Sequence, residues 1–281
     1  MEHAAAWVEK SEYARGLGVE IEELSGDCAR LRLPFRDANT NPGRVLHGGV
    51  AASLVATAAG AVARATLGPE AAPLHTAALQ MTYLAAAKEE AVVARAQRLR
   101  AGKELCFVDV AVATDDEKPI AHGLAVVRGR FGAAPAQAAR ATGDDGAAEP
   151  GPLAPHIERA PFMAGLGLRI EHMAGGRSRI RLPWHAHLAA ADECMHEGAV
   201  LALLDTTGAM AAWAVTGPGP FKASTPALQS RILAPVPAVE LVAYGRCVHA
   251  DGEAFSCDVE VAADDGGLVC ARGTVLYRIV R

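Results

Sequence analysis

The sequence has few aromatic residues, no stripe of basic residues and no closely spaced pair of cysteines. Aromatics make up 5% of the chain and hydrophobic residues 51%, so a core must be built mainly from alanine, valine and leucine. A net charge of −5 without clustered Lys and Arg argues against a nucleic-acid-binding surface. The six cysteines are scattered, which is typical of reduced thiols in a cytoplasmic protein rather than of a disulfide framework.

The chain also lacks an uninterrupted hydrophobic segment of the kind that spans a membrane. Its longest apolar run, residues 198–215, contains Asp205 near its middle, which favours a buried core helix. The first sixteen residues mix charges with apolar side chains and show no signal-peptide core. We therefore expect a soluble, cytoplasmic protein without a membrane partner.

The chain is a tandem duplication. When the sequence is shifted by 149 residues, its halves align without a gap from about residue 8 to about residue 130, so that RLRLPF (30–35) lies over RIRLPW (179–184). The duplication predicts two domains, residues 1–131 and residues 153–281. The segment between them, residues 132–152, is rich in Ala, Gly, Pro and Asp, and we expect it to be a flexible linker.

Each half shows the same order of predicted elements. A short helix leads, at residues 5–15 and 157–164, and is followed by two strands, a long apolar helix and further strands with alternating apolar and polar residues. One helix among five or six antiparallel strands gives an α+β layer. Because the long helix is apolar nearly all round, we expect a curved sheet to wrap it.

The two long helices begin with related motifs that differ at two positions where a catalytic role is expected. The first copy reads HGG at residues 47–49 and has Ala56 nine residues after its histidine, whereas the second reads HEG at residues 196–198 and has Asp205 at the matching place. The first N–H groups of a helix lack intrahelical partners and lie at the positive end of its dipole. Glycine lets a substrate carbonyl approach them, so the HGG turn predicts an oxyanion hole.

Elementary geometry pairs Gly48 of the first repeat with Asp205 of the second. Gly48 and Ala56 are separated by roughly 12 Å along one helix, so a helix cannot bring both positions to one carbonyl. If the two helices run antiparallel about a pseudo-two-fold axis, the start of one faces the middle of the other. The reciprocal pair combines Ala56 with Glu197, which adds bulk and negative charge where an oxyanion would form. We predict that this second site is catalytically dead.

The pattern N-P-G-x-V-x-H-G-G-V-x-A-x-L, preceded by GLG and L-P-F/W, resembles that of hotdog-fold acyl-CoA thioesterases, and most nearly the PaaI-like group of the 4-hydroxybenzoyl-CoA thioesterase superfamily. The resemblance covers both repeats. It implies two tandem hotdog domains, each a central helix wrapped by an antiparallel sheet, which form a pseudo-dimer within one chain. It also implies hydrolysis of acyl-CoA to free acid and CoA without a metal or other cofactor, and a homo-oligomer such as a dimer of double hotdogs.

The resemblance further implies the functional positions. Gly48 N–H would polarise the thioester carbonyl, Asp205 would act as general base or nucleophile, and Thr225 would orient the water or the acid. The second repeat departs from the pattern, with Glu197 in place of Gly and Ala190 in place of Asn. The matching catalytic positions are Asn41, His47, Gly48, Asp205 and Thr225, and the candidate substrate-binding residues are Gly49, Thr206 and Met210.

Two other functional classes remain open. A hotdog enoyl-CoA hydratase shares the fold, but its typical Asp-x-x-x-x-His pair is not found at the long helix. A non-catalytic acyl-CoA sensor would retain its ligand without turnover. Single residues have structural alternatives too, since His47 can be a helix cap and Asn41 a turn residue.

The histidines around the second motif do not predict a metal site. His185, His187 and His196 lie close in sequence to Asp192, Glu193 and Cys194, but the spacing matches no tetrahedral site.

Overall fold

Each repeat forms one long helix and an antiparallel sheet in the computed structural model, which describes residues 1–129, 139–143, 146–263 and 267–280. The elements of the first repeat are α1 (Glu2–Glu9), α2 (Glu12–Leu17), β1 (Glu20–Leu24), β2 (Cys28–Leu33), β3 (Thr40–Asn41), β4 (Val45–Leu46), α3 (Gly48–Leu67), β5 (Leu74–Tyr83), β6 (Val92–Ala101), β7 (Leu105–Thr114) and β8 (Pro119–Gly129). Those of the second are α4 (Ala154–Glu158), α5 (Pro161–Leu166), β9 (Arg169–Ala174), β10 (Arg177–Leu182), α6 (Glu197–Thr216), β11 (Lys222–Ile232), β12 (Leu241–Ala250), β13 (Ala254–Ala263) and β14 (Val269–Val280). Short 3-10 turns lie at Asp37–Asn39, Pro69–Ala71 and Ala186–Leu188.

The sheets of the two repeats join into one. Within the described residues, twelve strands pair in the order β1-β2-β6-β7-β8-β5-β11-β14-β13-β12-β10-β9. The junction is the antiparallel pair β5–β11, in which Gln80 lies opposite Gln229. These two residues are related by the offset of 149, so the pseudo-two-fold axis passes between them. The α+β fold with two tandem hotdog domains is thus confirmed.

The two long helices lie in the core rather than on the surface. α3 and α6 are long and apolar enough to span a membrane by length and composition, but 83% of the most apolar stretch of each is buried inside the protein. Both helices contact strands of their own half of the sheet. Their nearly uniform apolar surface therefore reflects packing between the sheet and the other helix.

Two glycines let α3 and α6 pack closely against each other. A Cβ on Gly49 would lie 2.7 Å from the Ala202 Cβ, and one on Gly198 would lie 2.6 Å from the Ser53 Cβ. The contacts pair the start of each helix with the interior of the other, so the helices run antiparallel. This is the arrangement that the pairing of Gly48 with Asp205 requires.

The predicted leading helix of each repeat is divided into two. In the first repeat the Ser11 side chain accepts a hydrogen bond from the Ala14 N–H and begins a new helix after Lys10. In the second, Pro161 occupies the first turn of α5, where its missing N–H costs nothing. The segment between the domains is described at residues 139–143 and 146–152, where Thr142 bonds to Glu260 and Glu149 pairs with His172 of the second domain. The remainder of the predicted linker, residues 132–138, 144 and 145, lies outside the described residues, as do Arg130, Phe131, residues 264–266 and Arg281.

Candidate active site

His47 caps the helix that carries the HGG motif. Its Nδ1 accepts a hydrogen bond of 2.9 Å from the Gly49 N–H, so the neutral ring carries its proton on Nε2. Burial lowers the pKa of His47 to about 4, and the ring is therefore neutral at pH 7. His196 caps α6 in the same way through the Gly198 N–H. The capping interaction, which the sequence left as an alternative role for His47, is thus present in both repeats.

The Gly48 N–H is available at the start of α3. Among the hydrogen bonds of the described residues, none uses this N–H as donor, as expected for the first turn of a helix. A Cβ built on Gly48 would lie 3.1 Å from the Asp205 Oδ2 of the second repeat. The glycine and the carboxylate that the sequence pairs across the duplication are therefore direct neighbours.

Asp205 is buried, and among the described residues the Thr225 side chain donates a hydrogen bond to it. It is 5% exposed, and its Oδ1 accepts a hydrogen bond of 2.8 Å from the Thr225 hydroxyl. Burial raises the pKa of Asp205 to about 6, although the bond from Thr225 lowers it. This leaves Oδ2 directed to the side of Gly48. A carboxylate with this pKa is ionised at neutral pH and still basic enough to accept a proton.

A cavity of about 770 Å³ joins these residues. It lies between α6, the start of β11, the end of β5 and the helices α4 and α5. Its wall includes seven of the eight residues predicted from the sequence, namely Asn41, His47, Gly48, Asp205, Thr206, Met210 and Thr225. Gly49 is not part of the wall, since its N–H bonds to His47 and its Cα packs on Ala202.

Three aromatic residues of the cavity wall, Tyr83, Phe221 and Tyr277, were missed by the sequence reasoning, and Trp213 lies beside them in the wall. The Tyr83 hydroxyl donates to the Gly48 carbonyl oxygen at 3.2 Å and so fixes the first turn of α3. Trp213 stacks on Phe221 with ring centroids 6.2 Å apart, and its Nε1–H donates to the Tyr277 hydroxyl oxygen at 3.1 Å. The sequence holds one signal that marks such positions, namely that the two repeats differ there. The counterpart of Tyr83 is Ile232, and the counterpart of Trp213 is Arg64.

The reciprocal site is filled by protein side chains. The Glu197 Oε1 accepts a hydrogen bond of 2.8 Å from the N–H of Thr76, the counterpart of Thr225. Trp7 of α1 stacks on His196 with ring centroids 5.7 Å apart and lies under the guanidinium of Arg64 at 3.7 Å. Burial raises the pKa of Glu197. The space that is a cavity beside Asp205 is thus occupied on the other side of the pseudo-two-fold axis.

The histidine-rich loop before α6 does not gather metal ligands. His185 and His187 stack on each other with ring centroids 5.3 Å apart, and the His187 Nε2 bonds to the Gly165 carbonyl oxygen. In the part of the chain that the structure describes, no three His, Cys, Asp or Glu side chains form a group able to hold a metal ion.

Family models match both repeats. Residues 36–128 match "Acyl-CoA thioesterase N-terminal domain" and residues 193–270 match "Thioesterase superfamily". A protein of Halobacterium salinarum named "Putative esterase" is 36% identical over 118 residues, which cover 41% of this chain and 78% of that protein. The chain belongs to the thioesterase superfamily, a family of thioester hydrolases, and the predicted family is confirmed.

Solved structures share the tandem arrangement over the whole chain. The tesB protein of Mycobacterium avium subsp. paratuberculosis aligns with a TM-score of 0.67 at 12% identity, over 100% of this chain and 99% of that one. The acyl-CoA thioesterase II TesB2 of Mycobacterium marinum aligns with a TM-score of 0.64 at 16% identity, over 96% of each chain. At these identities the likeness is one of fold.

Proposed function

We propose that the protein is an acyl-CoA thioesterase with a single composite active site in each chain. One observation carries the proposal. The Asp205 carboxylate of the second repeat lies beside the Gly48 backbone at the start of the first repeat's long helix, and both face the same cavity. A helix N-terminus and a buried carboxylate on either side of a space supply the two functions that thioester hydrolysis needs, namely an oxyanion donor and a base.

In the proposed reaction the thioester carbonyl oxygen accepts a hydrogen bond from the Gly48 N–H. Asp205 takes a proton from a water whose oxygen attacks the carbonyl carbon, and the negative charge of the tetrahedral intermediate develops beside the helix N-terminus. Collapse of the intermediate breaks the carbon–sulfur bond and releases CoA thiolate, which recovers the proton. Direct attack by Asp205 is the other route; it expels CoA thiolate and forms a mixed anhydride between the Asp205 carboxylate and the acyl group, which water then hydrolyses, and detection of that anhydride by rapid quench during single turnover would distinguish it.

The neighbours of this pair fit positioning roles. Thr225 holds one oxygen of Asp205, so the other is directed to the substrate side. His47 is neutral and caps α3, which keeps the turn before Gly48 in place without adding charge beside the oxyanion. We infer that Asn41, Thr206 and Met210 contact substrate from the cavity wall, and that Gly49 contributes by allowing the close approach of α6.

The test is the release of free thiol from a panel of short, medium, long-chain and aromatic acyl-CoAs. The wild type is compared with Asp205→Asn and with Glu197→Gly, the matching position of the filled site. Turnover should fall about 100- to 10,000-fold in Asp205→Asn, the usual range for loss of a general base, and survive in Glu197→Gly. Binding of acyl-CoA without turnover on any thioester would refute the enzyme and leave a sensor.

We also propose a cytoplasmic location and association of chains into a homo-oligomer. All six cysteines are free thiols, which suits a reducing compartment. The outer face of the sheet presents Leu124 and Leu276 at 40% and 38% exposure, and these residues give a second chain an apolar contact. Size-exclusion chromatography with light scattering would measure the mass, and a monomer at micromolar concentration would contradict the association.

A further inference from the structure

An arm of the cavity runs along α6 away from Asp205. Thr206, Ala209, Met210 and Trp213 line it at helical spacing. From Asp205 to Trp213 the helix extends about 12 Å. Phe221 and Tyr277 complete the wall beside Trp213, so this arm is mainly apolar and aromatic. A thioester whose carbonyl lies between Gly48 and Asp205 can place its acyl group there.

The Tyr277 hydroxyl brings a hydrogen-bond donor into this arm. Its oxygen accepts the Trp213 Nε1–H at 3.1 Å. The phenol has one proton of its own, and among the described residues no acceptor for that proton is found, so it remains available to a group in the cavity. Burial, reinforced by the negative charge of Asp205, raises the pKa of Tyr277 to about 12. The phenol is therefore a donor throughout the neutral pH range.

The duplication provides an internal comparison for this pair. Tyr277 lies opposite Phe255 in the β13–β14 pairing, and Val127 lies opposite Cys106 in the β7–β8 pairing. Because Cys106 and Phe255 are related by the offset of 149, Val127 is the counterpart of Tyr277. The filled side thus has a buried valine where the open side has a phenol. Trp213 has Arg64 as its counterpart, so both members of the hydrogen-bonded pair occur only beside Asp205.

We propose that Tyr277, oriented by Trp213, recognises a hydrogen-bond acceptor on the acyl group. The substrate class is therefore acyl-CoA thioesters whose acyl group carries an oxygen substituent, such as a hydroxyl or oxo group, beyond the thioester carbonyl. An unsubstituted alkyl chain leaves the phenol proton without a partner in a mainly apolar arm, which disfavours its binding. This inference rests on the proposed function, because it assigns the acyl group to the arm beside Asp205.

The test compares octanoyl-CoA with its 3-, 5- and 7-hydroxy derivatives, which scan the position of the acceptor. In the wild type we expect kcat/KM for at least one hydroxy derivative to exceed that for octanoyl-CoA by about 10-fold, the value of one well-placed hydrogen bond. In Tyr277→Phe this ratio should fall to about 1. Trp213→Phe keeps an aromatic wall but removes the indole N–H, and it should give an intermediate ratio. Tyr244→Phe makes the same chemical change outside the cavity and should keep the wild-type ratio.

Two results would overturn the inference. One is a wild type without preference for any hydroxy derivative. The other is an equal loss on substituted and unsubstituted substrates in Tyr277→Phe, which would assign the phenol to the reaction itself. If the wild type hydrolyses neither octanoyl-CoA nor any of its hydroxy derivatives, the proposed function fails. The inference about Tyr277 is then tested by calorimetry, which measures Kd for non-hydrolysable thioether analogues of the same series. A preference in Kd that Tyr277→Phe abolishes would support it, and equal Kd values would refute it.

Discussion

At the scale of single residues, the chemistry depends on the charge state of Asp205. Burial raises the pKa of this carboxyl to about 6, so it is mostly ionised at pH 7 and mostly protonated at pH 5. A protonated carboxyl cannot accept a proton from water. We expect log kcat/KM to rise with pH up to about 6 with a slope near 1 and then to level off. A profile measured between pH 4.5 and 8.5 checks this.

Thr225→Val provides the control for that profile. The hydroxyl of Thr225 donates to Asp205 and lowers the pKa of its carboxyl, so removal of the hydroxyl should move the midpoint to higher pH. A midpoint unchanged in Thr225→Val, or a wild-type rate that falls as pH rises through 6, would show that another group controls the profile.

Asp205 should also cost the protein stability. Its pKa is about 6 in the folded protein against 3.8 ordinarily, so the folded state binds more protons than the unfolded state between these pH values. Stability from this group therefore falls as pH rises from 4 to 6. We expect Asp205→Asn to raise the free energy of unfolding at pH 7.5 by about 3 kcal/mol, and the gain to vanish below pH 4. Urea unfolding at the two pH values measures it, and a destabilised variant at pH 7.5 would contradict the account.

The residues that the sequence identified are those whose chemistry is unusual locally. Asp205 is conspicuous because it is the only ionisable residue of α6 after Glu197 in the first turn, and Gly48 because it opens the other helix. Tyr277 was not identifiable in this way. It stands in an ordinary alternating strand, and its counterpart is found only from the sheet register. The gapless alignment at an offset of 149, expected from the sequence up to about residue 130, is wrong for the last strand of each repeat, where the offset is 150.

At the scale of elements, the site depends on how closely α3 and α6 approach. A Cβ at Gly49 would lie 2.7 Å from the Ala202 Cβ and 2.9 Å from its Cα, and a helix backbone cannot yield as a side chain can. We expect Gly49→Ala to lower the free energy of unfolding by about 1 to 3 kcal/mol and to reduce activity, because it separates Gly48 from Asp205. Thermal unfolding and thiol release measure both effects.

Gly16→Ala is the matched control. Gly16 lies in α2 with nothing within 4 Å of an added Cβ, so the same change should be neutral or slightly stabilising there. If Gly49→Ala behaves like Gly16→Ala, the helix contact does not limit the site.

The sequence predicted the order of these elements, but it predicted one leading helix in each repeat where the structure has two. In the first repeat the helical pattern of residues continues through Ser11, so the pattern does not reveal that Ser11 caps a second helix.

At the scale of the whole molecule, the two sites related by the duplication differ, since one is open and the other is filled. One side of the pseudo-two-fold axis keeps a cavity beside Asp205, and the other holds Glu197, Trp7 and Arg64 in the corresponding space. The sequence predicted that the second site has Ala56 at the position that matches Asp205, and therefore lacks the catalytic acid. It did not predict that α1 fills the space, since Trp7 and Arg64 meet only in the folded chain.

The central claim is that Gly48 and Asp205 serve one site although they belong to different repeats. A double-mutant cycle on kcat/KM with Gly48→Ala and Asp205→Asn tests it directly. The added Cβ would lie 3.1 Å from the Asp205 Oδ2, in the space assigned to the substrate carbonyl. Each single variant should lose about 100-fold or more, and the double variant should be little worse than Asp205→Asn alone, because both changes disable the same site. With all four proteins shown to be folded, losses that multiply in the double variant would mean that the two residues act independently and would contradict the composite site.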